Sequence, residues 1–176
     1  VELFKDQINE FIKALPYALT NGQKKAVDEI LSDLKKSKPM NRFLQGDVGS
    51  GKTIVAAIAA YVSFLNSFKT LIMAPTEILT QQHFSTLSEL FKNTTVKVSL
   101  VTSSTKNSNF KLQISNSDIV VGTQALLHQA LDVKKVGLVV IDEQHRFGVK
   151  QRSQLKKIGI NPHLLTMTAT PIPRTV

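Results

Sequence analysis

Apolar residues in the first fifteen positions fall at Leu3, Phe4, Ile8, Phe11, Ile12 and Leu15, the spacing of one helix face, and Pro16 ends the run. Thr20-Asn21-Gly22-Gln23 then has the form of a capping box, with a hydroxyl at the N-cap and a carboxamide three residues on. Ala26, Val27, Ile30, Leu31 and Leu34 follow on one helical face. From there the pattern changes. Short aliphatic runs predict strands at 42–45, 70–74, 96–102, 118–122, 137–142 and 163–168. Between them, longer segments predict helices at 53–66, 77–91, 124–130 and 150–158. Leu138-Val139-Val140-Ile141 puts four aliphatic residues in a row, which fits a central strand buried on both faces. Strand–helix alternation of this kind predicts an α/β fold, a mostly parallel central sheet with helices on both faces. Residues 103–109 are rich in Ser, Thr, Asn and Lys and read as an exposed loop.

Composition narrows the class. A length of 176 residues, 42% hydrophobic and 20% charged, describes one globular domain of ordinary size. No internal linker is visible, so residues 1–176 are read as a single domain, with 1–19 as a helix and linker leading into it. The ends carry no start or capping signal, and the chain is expected to be part of a longer protein. Twenty-two Lys and Arg against 13 Asp and Glu give a net charge of +9, which favours a polyanionic partner through steering and counterion release. Absence of Cys rules out disulfides and thiolate metal sites and agrees with a reducing, cytoplasmic setting. The longest apolar stretch, 53–65, is too short to span a bilayer, so no membrane partner is expected.

The chemistry concentrates in two places. Gly46-Asp47-Val48-Gly49-Ser50-Gly51-Lys52-Thr53 follows a predicted strand and opens a predicted helix, the context in which G-x-x-x-x-G-K-[ST] becomes a phosphate cradle. Gly46, Gly49 and Gly51 let consecutive N–H groups turn inward toward an anion, with Ser50 between them. Lys52 reaches the β- and γ-phosphates and the Thr53 hydroxyl serves Mg²⁺. A nucleoside triphosphate with Mg²⁺ is the expected ligand. The second place is Asp142-Glu143-Gln144-His145, directly after the buried strand, at the carboxyl edge where open α/β sheets bind ligands. Asp142 is placed to hold Mg²⁺ through its water shell, and Glu143 to orient the attacking water. His145 alone decides nothing, since a single His is more often structural.

Around these lie motifs whose order resembles the superfamily 2 helicases. Asp142-Glu143-Gln144-His145 looks like their motif II, Ala74-Pro75-Thr76-Glu77 resembles motif Ia, Val121-Gly122-Thr123-Gln124 resembles motif Ib, and Thr168-Ala169-Thr170 resembles motif III. More narrowly, residues 40–53, 145–152 and 167–174 are similar to the RecG-type branched-DNA helicases. The resemblance implies a RecA-like P-loop domain, the first of two motor lobes, coupling ATP hydrolysis to movement on branched or duplex DNA. It assigns His145 to the catalytic motif, adenine recognition to Gln23, DNA contact to Pro75, Thr76, Gly122 and Thr123, and coupling to Thr168 and Thr170. It also implies a second motor lobe and a DNA-recognition domain as partners.

Each of these residues also has a plainer reading. Gln23 completes a capping box without any nucleotide, and Thr76 and Thr123 each precede a predicted helix and fit simple N-caps. The two readings are compatible at Thr76 and Thr123, because free N–H groups at helix starts bind phosphates. Arg146 and Arg152 belong to a basic cluster that either faces DNA or forms a solvated helix side. With no Trp, two Tyr, and most of nine Phe in core-like segments, DNA contact is expected through backbone phosphates rather than base stacking. Alternatives are the translocase lobe of a transcription-repair coupling factor, a nucleotide-dependent switch without hydrolysis, and a P-loop small-molecule kinase. The last lacks an Arg-rich lid.

Overall fold

A computed structural model describes residues 2–102, 112–126, 135–143, 153 and 161–169 of the chain, with only the backbone at Glu143. Six parallel strands form one sheet, β1 (Asn41–Gln45), β2 (Lys69–Ala74), β3 (Val98–Val101), β4 (Ile119–Thr123), β5 (Val136–Glu143) and β6 (His163–Thr168), in the order β1-β6-β5-β2-β4-β3. The helices are α1 (Lys5–Lys13), α2 (Asn21–Leu34), α3 (Lys52–Leu65) and α4 (Glu77–Leu90). Every predicted strand is present, with ends displaced by two residues or fewer.

Parity along the strands decides which side each residue faces. Ile72 is level with Val121 and Val140, and all three join a cluster containing Ile8 and Phe11 of α1, Val27 and Ile30 of α2, Val55 to Ala60 of α3 and Leu87 of α4. The alternating set, Leu71, Val120 and Val139, faces the other way and is covered by Ile114 and Leu126. Among the described residues, the four long helices α1 to α4 therefore lie on one face. The helices predicted at 124–130 and 150–158 fall mostly outside the described residues, while a helical turn at 112–115 was not anticipated.

Helix α3 is buried from Val55 to Ala60 and again at Val62 and Ser63. A helix apolar on all sides belongs in an interior, and its four alanines let α1, α2, α4 and the sheet approach closely. Phe11 of α1 stacks on Tyr61 of α3 at 4.5 Å and on Phe91 at 5.0 Å between ring centroids. That aromatic group welds the amino-terminal helix to the domain, consistent with aromatic side chains serving the core.

Candidate nucleotide-binding site

Parallel strands direct all their carboxyl ends to one edge, and the motifs gather there. Pairing sets Gln45 level with Thr168, and Thr168 level with Glu143, on the adjacent strands β1, β6 and β5. Beyond them Ala74 is level with Thr123 on β2 and β4. The phosphate-loop, motif II and motif III positions thus fill one half of the edge. Pro75, Thr76, Gly122 and Thr123 stand on the other.

The loop between β1 and α3 is fixed from several sides. Gly46 N–H donates to the Thr168 carbonyl at 3.2 Å, and Ser50 N–H to the Asp47 carbonyl at 3.1 Å. Gly49 and Gly51 have φ of 80° and 78°, the left-handed region where a side chain is strained. Gly51 is the N-cap of α3 and supplies no side-chain cap. The start of α3 therefore keeps the free N–H character and positive dipole end that suit an anion. Lys52 Nζ donates to the carbonyls of Gly46 and Asp47, 2.7 Å each, which folds the ammonium over the loop. Thr53 follows in the first turn of α3.

Gln23 reaches this loop from α2. Its Oε1 accepts from Thr20 N–H at 2.9 Å, completing the capping box with Gln23 N–H to Thr20 Oγ1 at 3.2 Å. Its Nε2 donates to the Ser50 carbonyl at 3.0 Å. Gln23, Ser50, Gly51 and Lys52 line a common pocket of about 220 Å³.

Asp142 points to the helical face of the sheet, where His83 of α4 meets it, Nε2 to Oδ2 at 2.6 Å. His83 was not singled out from sequence. The available signal was its place on the stripe Thr76, Thr80, His83, Leu87, where Thr80 and Leu87 are buried and an imidazole needs a polar partner. Thr76 is the N-cap of α4, its Oγ1 accepting from Leu79 N–H at 3.3 Å. Thr168 is buried at the end of β6. His145, Arg146, Arg152 and Thr170 lie outside the described residues, as does the Glu143 side chain.

The donor set suits a nucleotide with Mg²⁺. Thr53 and Asp142 offer hard oxygen donors, few in number, as Mg²⁺ prefers when phosphates and waters fill its remaining positions. Among the described residues no group of three or more His, Cys, Asp or Glu forms an all-protein metal cage. Also among them, no helix is long and apolar enough to cross a membrane.

Comparisons with known proteins agree with this arrangement. The family profile described as DEAD/DEAH box helicase matches residues 20–176. The ATP-dependent DNA helicase RecG of Bacillus subtilis (strain 168) is 48% identical, over 97% of this chain and 26% of that protein. RecG of Streptococcus pneumoniae serotype 4 is 46% identical, over 93% of this chain and 25% of that protein. A solved structure of RecG bound to a three-way DNA junction matches with a TM-score of 0.85 and 42% identity, covering 99% of this chain and 24% of that one. The chain spans about a quarter of the length of these relatives.

Proposed function

This chain belongs to the DEAD/DEAH box helicase family, and from that premise we propose that it is the ATP-binding motor lobe of a RecG-like DNA helicase. Its reaction is hydrolysis of Mg²⁺-ATP coupled to movement on branched or duplex DNA. One arrangement carries the reading: the phosphate loop after β1, Asp142 at the end of β5 and Thr168 at the end of β6 stand on three adjacent strands.

Each residue has a role that follows from its place. The free N–H groups at the start of α3 receive the β-phosphate, and Lys52 leaves the Gly46 and Asp47 carbonyls for the γ-phosphate. Thr53 Oγ1 and, through water, Asp142 would hold Mg²⁺, which would supply neutralisation of phosphate charge there. Glu143 orients the attacking water, and His145 belongs to the same motif. Gln23 reads adenine by exchanging one of its two amide partners for the base edge. Thr168 and Thr170 couple this half of the edge to the other half. There Pro75, Thr76, Gly122 and Thr123 meet backbone phosphates; Arg146 and Arg152, outside the described residues, are assigned the same role from the sequence.

The chain's partners are DNA, a second motor lobe supplying the arginine finger, and a DNA-recognition domain within the same longer protein. Because such a finger is worth about 10³- to 10⁵-fold, the 176 residues alone hydrolyse ATP very slowly. The deciding experiment is Glu143→Gln in the intact protein, with forked, linear duplex and single-stranded DNA compared. Nucleotide binding persists while fork-stimulated hydrolysis collapses; ordinary turnover in the variant would sink the assignment.

A further inference from the structure

We propose that His83 is a positioning residue for Asp142, holding its carboxylate in the orientation that Mg²⁺-nucleotide binding needs. The inference rests on the reading of Asp142 as a metal-site residue and extends it to a side chain outside every motif named above. His83 Nε2 stands 2.6 Å from Asp142 Oδ2, although 59 residues separate the two in sequence. Their side chains keep only 11% and 18% of their exposure, so water competes weakly for the contact. An ionised carboxylate only accepts, so the imidazole nitrogen facing it carries the proton and donates. The bond needs no charge on the ring.

Geometry leaves one carboxylate oxygen for the metal shell. Among the described residues, Oδ2 is the oxygen of Asp142 that is engaged, while Oδ1 is available for a metal-bound water. A carboxylate tethered through one oxygen has lost rotation about its terminal bond before the metal arrives, and ordering it then costs less. The donor is itself rigid. Helix α4 is pinned by fully buried Thr80 and Leu87 on either side of His83, and Thr80 Oγ1 donates to the Glu77 carbonyl at 2.7 Å. Asp142 sits on the central strand β5, flanked by β6 and β2. Both ends of the bond are therefore fixed by the core.

The test follows Mg²⁺-dependent binding of a fluorescent ATP analogue to the intact protein, together with its affinity in EDTA and thermal melting. His83→Ala is expected to raise the Mg²⁺ concentration at half-effect by about tenfold, at the low end of what supporting partners of metal ligands contribute. EDTA affinity and melting stay near wild type. His83→Gln, whose amide nitrogen can reach the same oxygen, restores the Mg²⁺ response. An unchanged response in His83→Ala overturns the proposal, as does an equal loss in both variants accompanied by lost EDTA affinity. If His83→Ala does not fold, His83→Asn, whose shorter amide stops short of the carboxylate, is read in its place. Asp142→Asn separates the two levels: if it too leaves the Mg²⁺ response intact, the metal reading of Asp142 has failed; if it alone disturbs the response, only the role of His83 has.

Discussion

The carboxamide of Gln23 donates to the carbonyl of Ser50 at 3.0 Å, so the second helix of the domain holds the phosphate loop directly. The opposite end of the same amide accepts from Thr20 N–H. In the proposed function the capping residue also reads adenine, and the two roles can be separated by experiment. Thr20→Ala removes the N-cap hydroxyl and is expected to cost about 1 kcal/mol of stability while leaving the preference for ATP over GTP intact. Gln23→Ala removes the cap partner, the loop tether and the proposed base reader together. Its melting temperature falls comparably, and its ATP-over-GTP preference drops about tenfold, near 1.4 kcal/mol. Competition binding with both nucleotides checks this; retained selectivity in Gln23→Ala would reduce Gln23 to a cap.

Gly51 and Gly49 share a left-handed backbone but differ in surroundings. A Cβ on Gly51 would lie 2.2 Å from Gln23 Nε2, whereas one on Gly49 meets nothing within 4 Å. Gly49→Ala is expected to lose only the backbone term, about 1–2 kcal/mol. Gly51→Ala adds a clash that pushes Gln23 off the Ser50 carbonyl, so nucleotide affinity falls by more than in Gly49→Ala. Equal affinities in the two variants, measured by titration beside their melts, would show that the Gln23 tether is irrelevant to binding.

His163 opens β6, and its Nδ1 accepts from Met40 N–H at 2.9 Å, where β1 begins. Accepting requires that nitrogen to be unprotonated. Burial pushes its pKa below the usual 6.5, against a weaker upward pull from Asp33. The unfolded chain thus takes up the proton at higher pH than the folded one. The contribution to stability is complete above 6.5 and is lost as pH falls from there toward the lower folded value. Asp33 behaves in the same sense but in another range. Lys36, then Arg42, hold its carboxyl below 3.8, so its stabilisation is present above that value and lost in stronger acid. Denaturant midpoints at about pH 7.5 and about pH 5.5 should differ more in wild type than in His163→Asn, whose amide oxygen accepts without titrating. Equal differences would exclude His163 as the source.

Strand positions were legible because aliphatic runs such as Leu138 to Ile141 can only be interior, and the phosphate loop was legible because its chemistry is local. Lateral order was not. Nothing in the sequence states that β1 pairs with β6 rather than β2, and that pairing alone sets Thr168 against Gly46. Nor does alternation disclose that α1 to α4 share one face, since this depends on which strand parity each helix covers. The His83–Asp142 contact was hidden for the same reason: it joins α4 to β5 across the fold, and neither residue's neighbours in sequence point to the other.

Arg42 offers a surface test independent of the nucleotide. Its guanidinium meets Glu29 at 2.6 Å and Asp33 at 2.7 Å, tying β1 to α2. Arg42 and Glu29 are about one-third and nearly half exposed, so solvent screens that pair, while Asp33 keeps 16% of its exposure. A forked contact to two carboxylates is expected to contribute about 0.5–1 kcal/mol, mostly through Asp33. Double-mutant cycles with Arg42→Ala should give a larger coupling to Asp33 than to Glu29. The Glu29 coupling should shrink more at about 1 M salt.

Thr76 shows how a cap and a DNA contact can be told apart at one residue. Its hydroxyl oxygen accepts from Leu79 N–H, which accounts for a Thr there without any DNA. Asp caps a helix at least as well as Thr and adds negative charge favourable to the helix start. Thr76→Asp should therefore keep or slightly raise the melting temperature. If a DNA phosphate also approaches this helix start, the same charge repels it, and affinity for duplex DNA falls about tenfold at low salt. The gap to wild type narrows as salt is added, because the repulsion is screened. Thr76→Ser keeps the hydroxyl without the charge and should retain both stability and affinity. Anisotropy titrations of labelled duplex at several salt concentrations, run beside thermal melts, decide the matter. Wild-type DNA affinity in a well-folded Thr76→Asp protein would leave Thr76 a cap and move the DNA path away from α4.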